Sequence, residues 1–303
     1  MKYKKTFIFS ILFFLLFIIS IEIFLRRYYG FCDAVLVQED NEIEYIPQPN
    51  QNRFRFRNRI LYNSLSMRSP EVDTSSLIIL GFGDSVINGG VQTDQDSLAT
   101  TILSDSLSTF LKTKVQFLNI SYGSWGPDNC YKYLARNGHF DAKAIFLVIS
   151  SHDAYDNINF DKVVDVHESF PSKQYVSAIF ELIDRYLIPR FFPDFKAKNE
   201  LNNLAINKKQ KKSRFNEGFN LFKNYCNLNR IPLIIYLHAE QSEQEKKCYN
   251  KQGLEIIDFA KQNKIKILTD LNELKNLDYR DNIHINSSGQ KKMAKIIYAF
   301  YKK

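Results

Sequence analysis

Five short apolar runs, separated by amphipathic stretches, constrain the fold of this chain more than any other feature of its sequence. Each run is as short and as continuously apolar as a parallel strand that is buried on both faces. The stretches between them have the apolar spacing of helices that pack through one side. The runs are residues 77–82, 114–120, 144–150, 231–238 and 265–269, and the predicted helices are residues 96–112, 215–228, 252–263 and 287–302. This alternation predicts an α/β fold with a doubly wound, five-stranded parallel sheet.

A longer apolar segment, residues 6–25, has no place in such a sheet. Its 20 residues match the length of helix that crosses a hydrocarbon core of about 30 Å. No Ala-x-Ala cleavage site follows it, so we expect an uncleaved transmembrane signal anchor preceded by a cytoplasmic n-region, residues 1–5. Three lysines precede the segment and two arginines follow it. This bias keeps the N-terminus in the cytoplasm and exports the rest of the chain to the periplasmic or extracellular side.

Two further segments lie outside the strand–helix alternation. Residues 28–76 lack helical periodicity, and we expect them to form an extended segment that packs on the domain of residues 77–303. In residues 53–57 arginine and phenylalanine alternate, which is typical of a strand. The arginines either face an anionic glycan or lipid headgroups, or they protect a sheet edge from pairing. Residues 157–214, with a predicted helix, an aromatic patch and a lysine-rich run, are interpreted as an insertion into the domain.

Composition and cysteine spacing narrow the possible partners. A hydrophobic fraction of 45% with 24% charged residues is typical of a globular protein. The net charge is +8, but five of the positive charges flank the apolar segment. We therefore expect no nucleic-acid partner. The four cysteines show no CxxC or Cys/His spacing, so no metal site is expected, and both disulfide pairing and isolated thiols remain open.

The stretch LIILGFGDSVINGG, residues 77–90, contains four of the 11 glycines of the chain, all close to one serine. A phosphate-binding loop would need a lysine that is absent. A dinucleotide loop would need glycine at Val86, and a G-x-S-x-G elbow would need glycine at Ile87. Two interpretations remain. Ser85 is a nucleophile beyond the carboxyl end of a strand, or Asp84 and Ser85 only cap the helix that follows.

Asp281 and His284 lie three residues apart, after the last predicted strand and before the last predicted helix. This spacing allows the carboxylate to accept a hydrogen bond from one ring nitrogen, while the other nitrogen stays free to take a proton. Together with Ser85 upstream, the pair predicts a Ser-His-Asp catalytic triad.

The stretch GFGDSV around Ser85 resembles the first sequence block of the SGNH (GDSL-type) hydrolase family, and DNIH, which ends at His284, resembles its last block, D-x-x-H. The resemblance covers roughly residues 77–303. It implies a flavodoxin-like three-layer fold in which Ser85 is the nucleophile and Asp281 and His284 complete the triad. It implies no metal and no organic cofactor. With the anchor included, the chain resembles exported, membrane-anchored members that edit acyl groups on cell-surface polysaccharides.

The second block departs from the family pattern. The pattern N-x-G-x-x-G would put glycines at Ser121 and Ser124, whereas this chain has Gly123 and Gly126. The resemblance implies that an amide of this loop joins the Ser85 amide in an oxyanion hole, and Gly123 and Ser124 are the candidate donors.

The third block also departs, because His152 stands where the family has a donor asparagine. A neutral imidazole has one N–H to offer. A charged imidazole would stabilise an oxyanion more strongly but would make the site sensitive to pH. His152 is therefore a candidate oxyanion donor, and a purely structural role remains open. Asp84, Trp125, Tyr155 and His238 are candidates for contact with the substrate, the two aromatic side chains by stacking on a sugar.

These features together predict a serine esterase that acts on an acyl ester, with a surface glycan as a candidate carrier. If a sugar hydroxyl replaces water as the acceptor, the protein is an O-acyltransferase instead. A third interpretation is a non-catalytic glycan-binding protein with an SGNH-like fold, which the altered second and third blocks would favour.

Overall fold

A computed structural model describes residues 2–192 and 214–302. Its centre is a five-stranded sheet of β5 (Leu77–Gly83), β6 (Val115–Ser121), β7 (Ala144–Ser150), β8 (Leu233–His238) and β9 (Lys266–Thr269). The strands lie in the order β6-β5-β7-β8-β9, and every neighbouring pair is parallel. The predicted five-stranded parallel sheet is confirmed, and the strand ends differ from the prediction by at most two residues.

Helices cover both faces of the sheet. On one face lie Ala99–Leu111 and Ser287–Tyr301, and on the other lie Pro127–Asn137, Gly218–Asn229 and Lys251–Gln262. The predicted doubly wound, three-layer arrangement is therefore confirmed. The helix Pro127–Asn137 was not predicted because it is short and rich in polar residues, although Cys130, Tyr133 and Leu134 are buried in the core. Shorter helices are Ser85–Asn88 and Gln241–Lys246.

Two antiparallel hairpins precede the sheet. They pair β1 (Val37–Asp40) with β2 (Glu44–Pro47), and β3 (Gln51–Arg55) with β4 (Asn58–Tyr62). Their apolar side chains, among them Ile43 and Ile60, belong to the core on one face of the central sheet. The alternating residues 53–57 end in a turn, because Phe56 and Arg57 have positive φ angles of 48° and 67°.

The N-terminal helix, Lys2–Phe24, continues as a π-helical turn, Leu25–Tyr29. Within the described ranges, Lys5–Tyr29 is the one helical segment long and apolar enough to cross a membrane, which fits either a membrane span or a signal sequence. Glu22 near its end accepts hydrogen bonds from the amides of Ala178 and Ile179. The helix therefore contacts the segment predicted as an insertion.

The described part of that segment has no helix or strand over residues 157–177 and is then helical, as Ala178–Leu182, a π-helical stretch Ile183–Leu187, and Ile188–Phe191. Most of the lysine-rich run and the end of the aromatic patch lie outside the described residues. The four cysteines, Cys32, Cys130, Cys226 and Cys248, are free thiols.

Candidate active site

Ser85 lies just beyond the carboxyl end of β5, at the first residue of the helix Ser85–Asn88. The chain places β6 on one side of β5 and β7 on the other, and such a switch point is where open α/β sheets form their binding crevice. Asp84 Oδ1 accepts a hydrogen bond of 2.8 Å from the Val86 amide and so caps the helix. Gly83 is required here because an added Cβ would lie 2.2 Å from the Val148 carbonyl oxygen.

The structure brings Ser85, His284 and Asp281 together. His284 Nε2 lies 2.9 Å from Ser85 Oγ, and His284 Nδ1 lies 2.8 Å from Asp281 Oδ2. Asp281 Oδ1 also accepts hydrogen bonds from the backbone amides of Ile283 and His284, at 3.0 and 2.8 Å. The carboxylate thus holds both the imidazole and the loop that carries it. Nδ1 is the donor to Asp281, so Nε2 is left as an acceptor for the serine proton.

The hydrogen bonds to Asp281 determine its protonation. Partial burial raises the pKa of this carboxyl group. Hydrogen bonds from the His284 and Ile283 amides and from the imidazole together lower the pKa by more, so the net shift is downward. Asp281 is therefore ionised throughout the neutral range, as an acceptor for Nδ1–H must be.

The loop after β6 offers free amides beside the serine. In the described part of the chain, the backbone amides of Gly123 and Ser124 donate no hydrogen bond, while Tyr45 Oη donates to both of their carbonyl oxygens, at 2.9 and 3.2 Å. Ser124 has a φ of 57°. The family pattern has glycine at this position, and the left-handed backbone explains why glycine suits it. Both residues line the cavity that contains Ser85.

His152 also lines that cavity, and three carboxylates surround it. Its Nδ1 lies 3.4 Å from Glu240 Oε1, and its Nε2 lies 3.8 and 4.0 Å from Asp153 Oδ1 and Asp84 Oδ2. Burial lowers the pKa of His152, but the hydrogen bond to Glu240 and the charges of Asp153 and Asp84 raise it to about 10. The ring is therefore an imidazolium at neutral pH. Its side chain is 41% exposed, so solvent screens these ion pairs.

Asp84, His152 and Asp153 also form a group that could hold a metal ion, because their ligand atoms lie within 4.8 Å of one another. Asp153 is fully buried, and its Oδ1 has no hydrogen-bond partner. Burial first, and then the charge of Asp84, raise the pKa of Asp153 well above its usual range. A protonated His152 supplies the positive charge that a cation would bring to this cluster.

Three predicted substrate contacts need correction, because the cavity lining contains none of them. Trp125 is 1% exposed, and its Nε1 donates to the Tyr45 carbonyl, so its ring is part of the core. Tyr155 is only partly buried, but its hydroxyl contacts Glu255, away from the cavity. His238 is fully buried, and its Nε2 lies 2.8 Å from the Ile283 carbonyl oxygen. It therefore supports the loop of His284 from behind. Of the four candidates, only Asp84 lines the cavity.

The cavity has a volume of about 590 Å³ and extends well beyond the triad. Sequence reasoning missed most of its far wall, which includes Arg55, Arg68, Tyr122, Phe170, Arg185 and Arg280. Signals existed for two of these, since Arg55 belongs to the alternating residues 53–57 and Arg280 directly precedes Asp281 in the sequence.

A three-layer α/β fold with serine, aspartate and histidine in this chain order at the carboxyl edge of its sheet is an architecture used by serine hydrolases. The strand order is the flavodoxin-like order that the resemblance to SGNH hydrolases implies.

Comparison with known protein families finds no match, and no curated protein matches the chain. Solved structures do match, at low identity. A two-domain esterase active on acetylated mannans is 10% identical with a TM-score of 0.43, over 75% of this chain and 49% of that one, so the chain spans about half of its length. A member of the lipolytic protein G-D-S-L family from Veillonella parvula is 13% identical with a TM-score of 0.42, over 75% of this chain and 100% of that one. The lipase/acylhydrolase from Enterococcus faecalis is 11% identical with a TM-score of 0.41, over 75% and 95%. These likenesses are too low to carry an activity over to this chain, whose own site has to support one.

Proposed function

We propose that this protein is a serine esterase that cleaves an acyl ester through Ser85, His284 and Asp281. The observation that carries the proposal is the continuous contact from Ser85 Oγ through the imidazole to Asp281, with 2.9 Å on one side of the ring and 2.8 Å on the other. Nucleophile, base and orienting group are within hydrogen-bond reach of one another, as covalent catalysis requires.

The mechanism has two steps. In the first, His284 Nε2 takes the proton of Ser85 as Oγ attacks the ester carbonyl carbon, and the resulting tetrahedral anion collapses to an acyl-serine. The alcohol leaves with the proton from His284. In the second, His284 takes a proton from water, which attacks the acyl-serine, and the acid and free Ser85 are released.

The tetrahedral anion that forms within each of these steps needs hydrogen-bond donors. The amides of Ser85, Gly123 and Ser124 and the ring of His152 are the available groups around the cavity. A single such donor lowers a barrier by about 2.7–4 kcal/mol. A cationic imidazole gives a charge-assisted hydrogen bond, which is stronger than that of the asparagine in the family pattern.

Labelling with a fluorophosphonate probe tests the proposal directly. The full chain in detergent should form a covalent adduct, and Ser85→Ala should form none. If the wild-type chain stays as unlabelled as the variant, the chain is not a serine esterase, and the non-catalytic glycan-binding interpretation takes its place.

Acyl transfer to a sugar is the second candidate. It is supported by the size of the cavity, about 590 Å³, which is far more than an acetyl group fills. The full chain should be assayed on p-nitrophenyl acetate with and without an oligosaccharide acceptor. Acyl-sugar that forms faster than free acetate would identify a transferase, and acetate alone would identify an esterase.

The site is proposed to lie outside the cytoplasm, held at the membrane by residues 6–25. Two observations support this location at the membrane, namely the lysines that precede the segment and an apolar stripe on the surface of the protein. Phe180, Ile183, Leu187 and Phe191 follow one another at helical spacing, and each is exposed, Phe180 at 60% and Phe191 at 66%. The helix that carries them is capped by Glu22 of the N-terminal helix. Its apolar side therefore lies where a lipid surface would cover it.

A further inference from the structure

The wall of the cavity beyond the triad is strongly cationic. Four arginines line it, namely Arg55, Arg68, Arg185 and Arg280. Among residues 2–192 and 214–302, a single carboxylate, that of Glu181, lies within ion-pair distance of any of them, at 2.5 Å from Arg55 and 3.3 Å from Arg185. Arg68 and Arg280 are left without an ion-pair partner in the described chain.

Arg68 is fully buried, and the groups that its guanidinium contacts are neutral. Its guanidinium donates to the carbonyl oxygens of Asn88, Gly90 and Thr93, which shape the loop after the Ser85 helix. Its Nε has no partner. Burial lowers the pKa of Arg68 to about 10, and the charge of Arg280 lowers it as well. Arg68 is still a cation at neutral pH, so it adds a positive potential to the cavity.

Of Arg68 and Arg280, only Arg280 can contact a ligand directly, because it is partly exposed whereas Arg68 is fully buried. One of its terminal nitrogens donates a long hydrogen bond of 3.3 Å to the Gly89 carbonyl oxygen, and its Nε has no partner. The neighbouring Asp281 does not neutralise it at hydrogen-bond distance, because the carboxylate is occupied by His284 and Ile283. Guanidinium groups with free N–H groups bind carboxylates and phosphates in a bidentate manner.

We infer that the substrate carries an anionic group, a carboxylate or a phosphate, which binds Arg280 in the field of Arg68 while the ester lies at Ser85. This inference rests on the proposed function and narrows it: the preferred acyl ester is borne on an acidic sugar rather than a neutral one.

Binding can be tested apart from catalysis with the full-length Ser85→Ala chain in detergent. Three probes separate the anion classes: the methyl glycoside of O-acetylated glucuronic acid, the matching neutral O-acetylated methyl glucoside, and O-acetylated glucose 6-phosphate. At least one anionic probe should bind about tenfold more tightly than the neutral one, because only the anionic probes can accept a charge-assisted hydrogen bond from Arg280. The preference should shrink as salt is added.

A matched pair of variants assigns the preference to a residue. Arg280→Gln in the Ser85→Ala background should remove the preference. Arg59→Gln removes a surface arginine that pairs with Asp96, and it should keep the preference. Equal binding of all three probes, or a preference that survives Arg280→Gln, would overturn the inference. Since fluorophosphonate labelling of the wild-type chain is read separately, that result would leave the esterase proposal standing.

Discussion

His284 Nε2 lies 2.9 Å from Ser85 Oγ, although 199 positions separate the two residues in the chain. The contact joins the end of β5 to the loop before the last helix. That loop is held on two sides, by Asp281, which accepts the His284 and Ile283 amides, and by the buried His238, whose ring contacts the Ile283 carbonyl oxygen. The imidazole is thereby positioned before any substrate arrives, which is what efficient proton transfer requires.

The first prediction concerns the orienting carboxylate. Asp281→Asn should lower kcat about 10³–10⁴-fold, because an amide stabilises the wrong tautomer of His284. Ester hydrolysis by the full chain measures the effect. Asp105→Asn is the control and should keep the wild-type rate. Asp105 is exposed on the helix Ala99–Leu111, which contributes no residue to the cavity lining. A loss of less than tenfold would show that Asp281 does not orient the base.

The second prediction distinguishes the structural role of His238 from the catalytic role of His284. His238→Leu should lower the free energy of unfolding by about 3 kcal/mol, because it removes the buried partner that lies 2.7 Å from Asp270 Oδ2. His284→Asn should abolish hydrolysis with little change in stability, because its side chain is partly exposed. Urea unfolding in detergent, followed by the fluorescence of the buried Trp125, measures both. Unchanged stability of His238→Leu would contradict the supporting role of His238.

The third prediction concerns pH. The folded-state pKa of His152, about 10, lies above its ordinary value of 6.5. The stability that its charge contributes is therefore fully present below pH 6.5 and is lost as pH rises toward 10. Because the charged ring is also the proposed oxyanion donor, kcat should decline over the upper part of the same window.

His152→Asn tests this pH dependence, since the amide has no proton to lose. Its kcat should be lower than that of the wild type at pH 7 and should lack the alkaline decline that His152 causes. Profiles of kcat from pH 6 to 10 compare the two proteins. An alkaline decline of the same size in the variant would assign the effect to another group.

The fourth prediction concerns the apolar stripe. In Phe180→Trp, reconstituted as the full chain in bilayers, the new fluorescence should be quenched strongly by brominated lipid. Leu228→Trp is the matched control and should stay unquenched. Leu228 is 84% exposed on the helix Gly218–Asn229, which precedes β8. The native Trp125 is 1% exposed and provides the background signal. Equal quenching at both positions would contradict contact between the stripe and lipid.

Much of the fold could be predicted because its signals are local. A run such as residues 144–150 is continuously apolar, which by itself indicates a strand covered on both faces, and it forms β7 at those same residues. The hairpins of residues 37–62 could not be predicted in the same way, since two-stranded sheets depend on the core against which they pack. Trp125 was placed wrongly for a related reason. Its partner, the Tyr45 carbonyl, lies 80 positions away in a hairpin that covers the ring.

The sequence by itself determined the layered α/β architecture and which serine, histidine and aspartate are candidates for a triad. Strand periodicity and the short spacing from Asp281 to His284 are properties of neighbouring residues. Only the tertiary structure decided that Ser85 meets His284 and that His152 is held as a cation among three carboxylates. It also decided that Arg68 and Arg280 line the cavity with no carboxylate partner among residues 2–192 and 214–302. Those properties depend on which groups the folded chain brings within a few ångströms, since electrostatic interactions and hydrogen bonds are set by distance and burial rather than by position in the sequence.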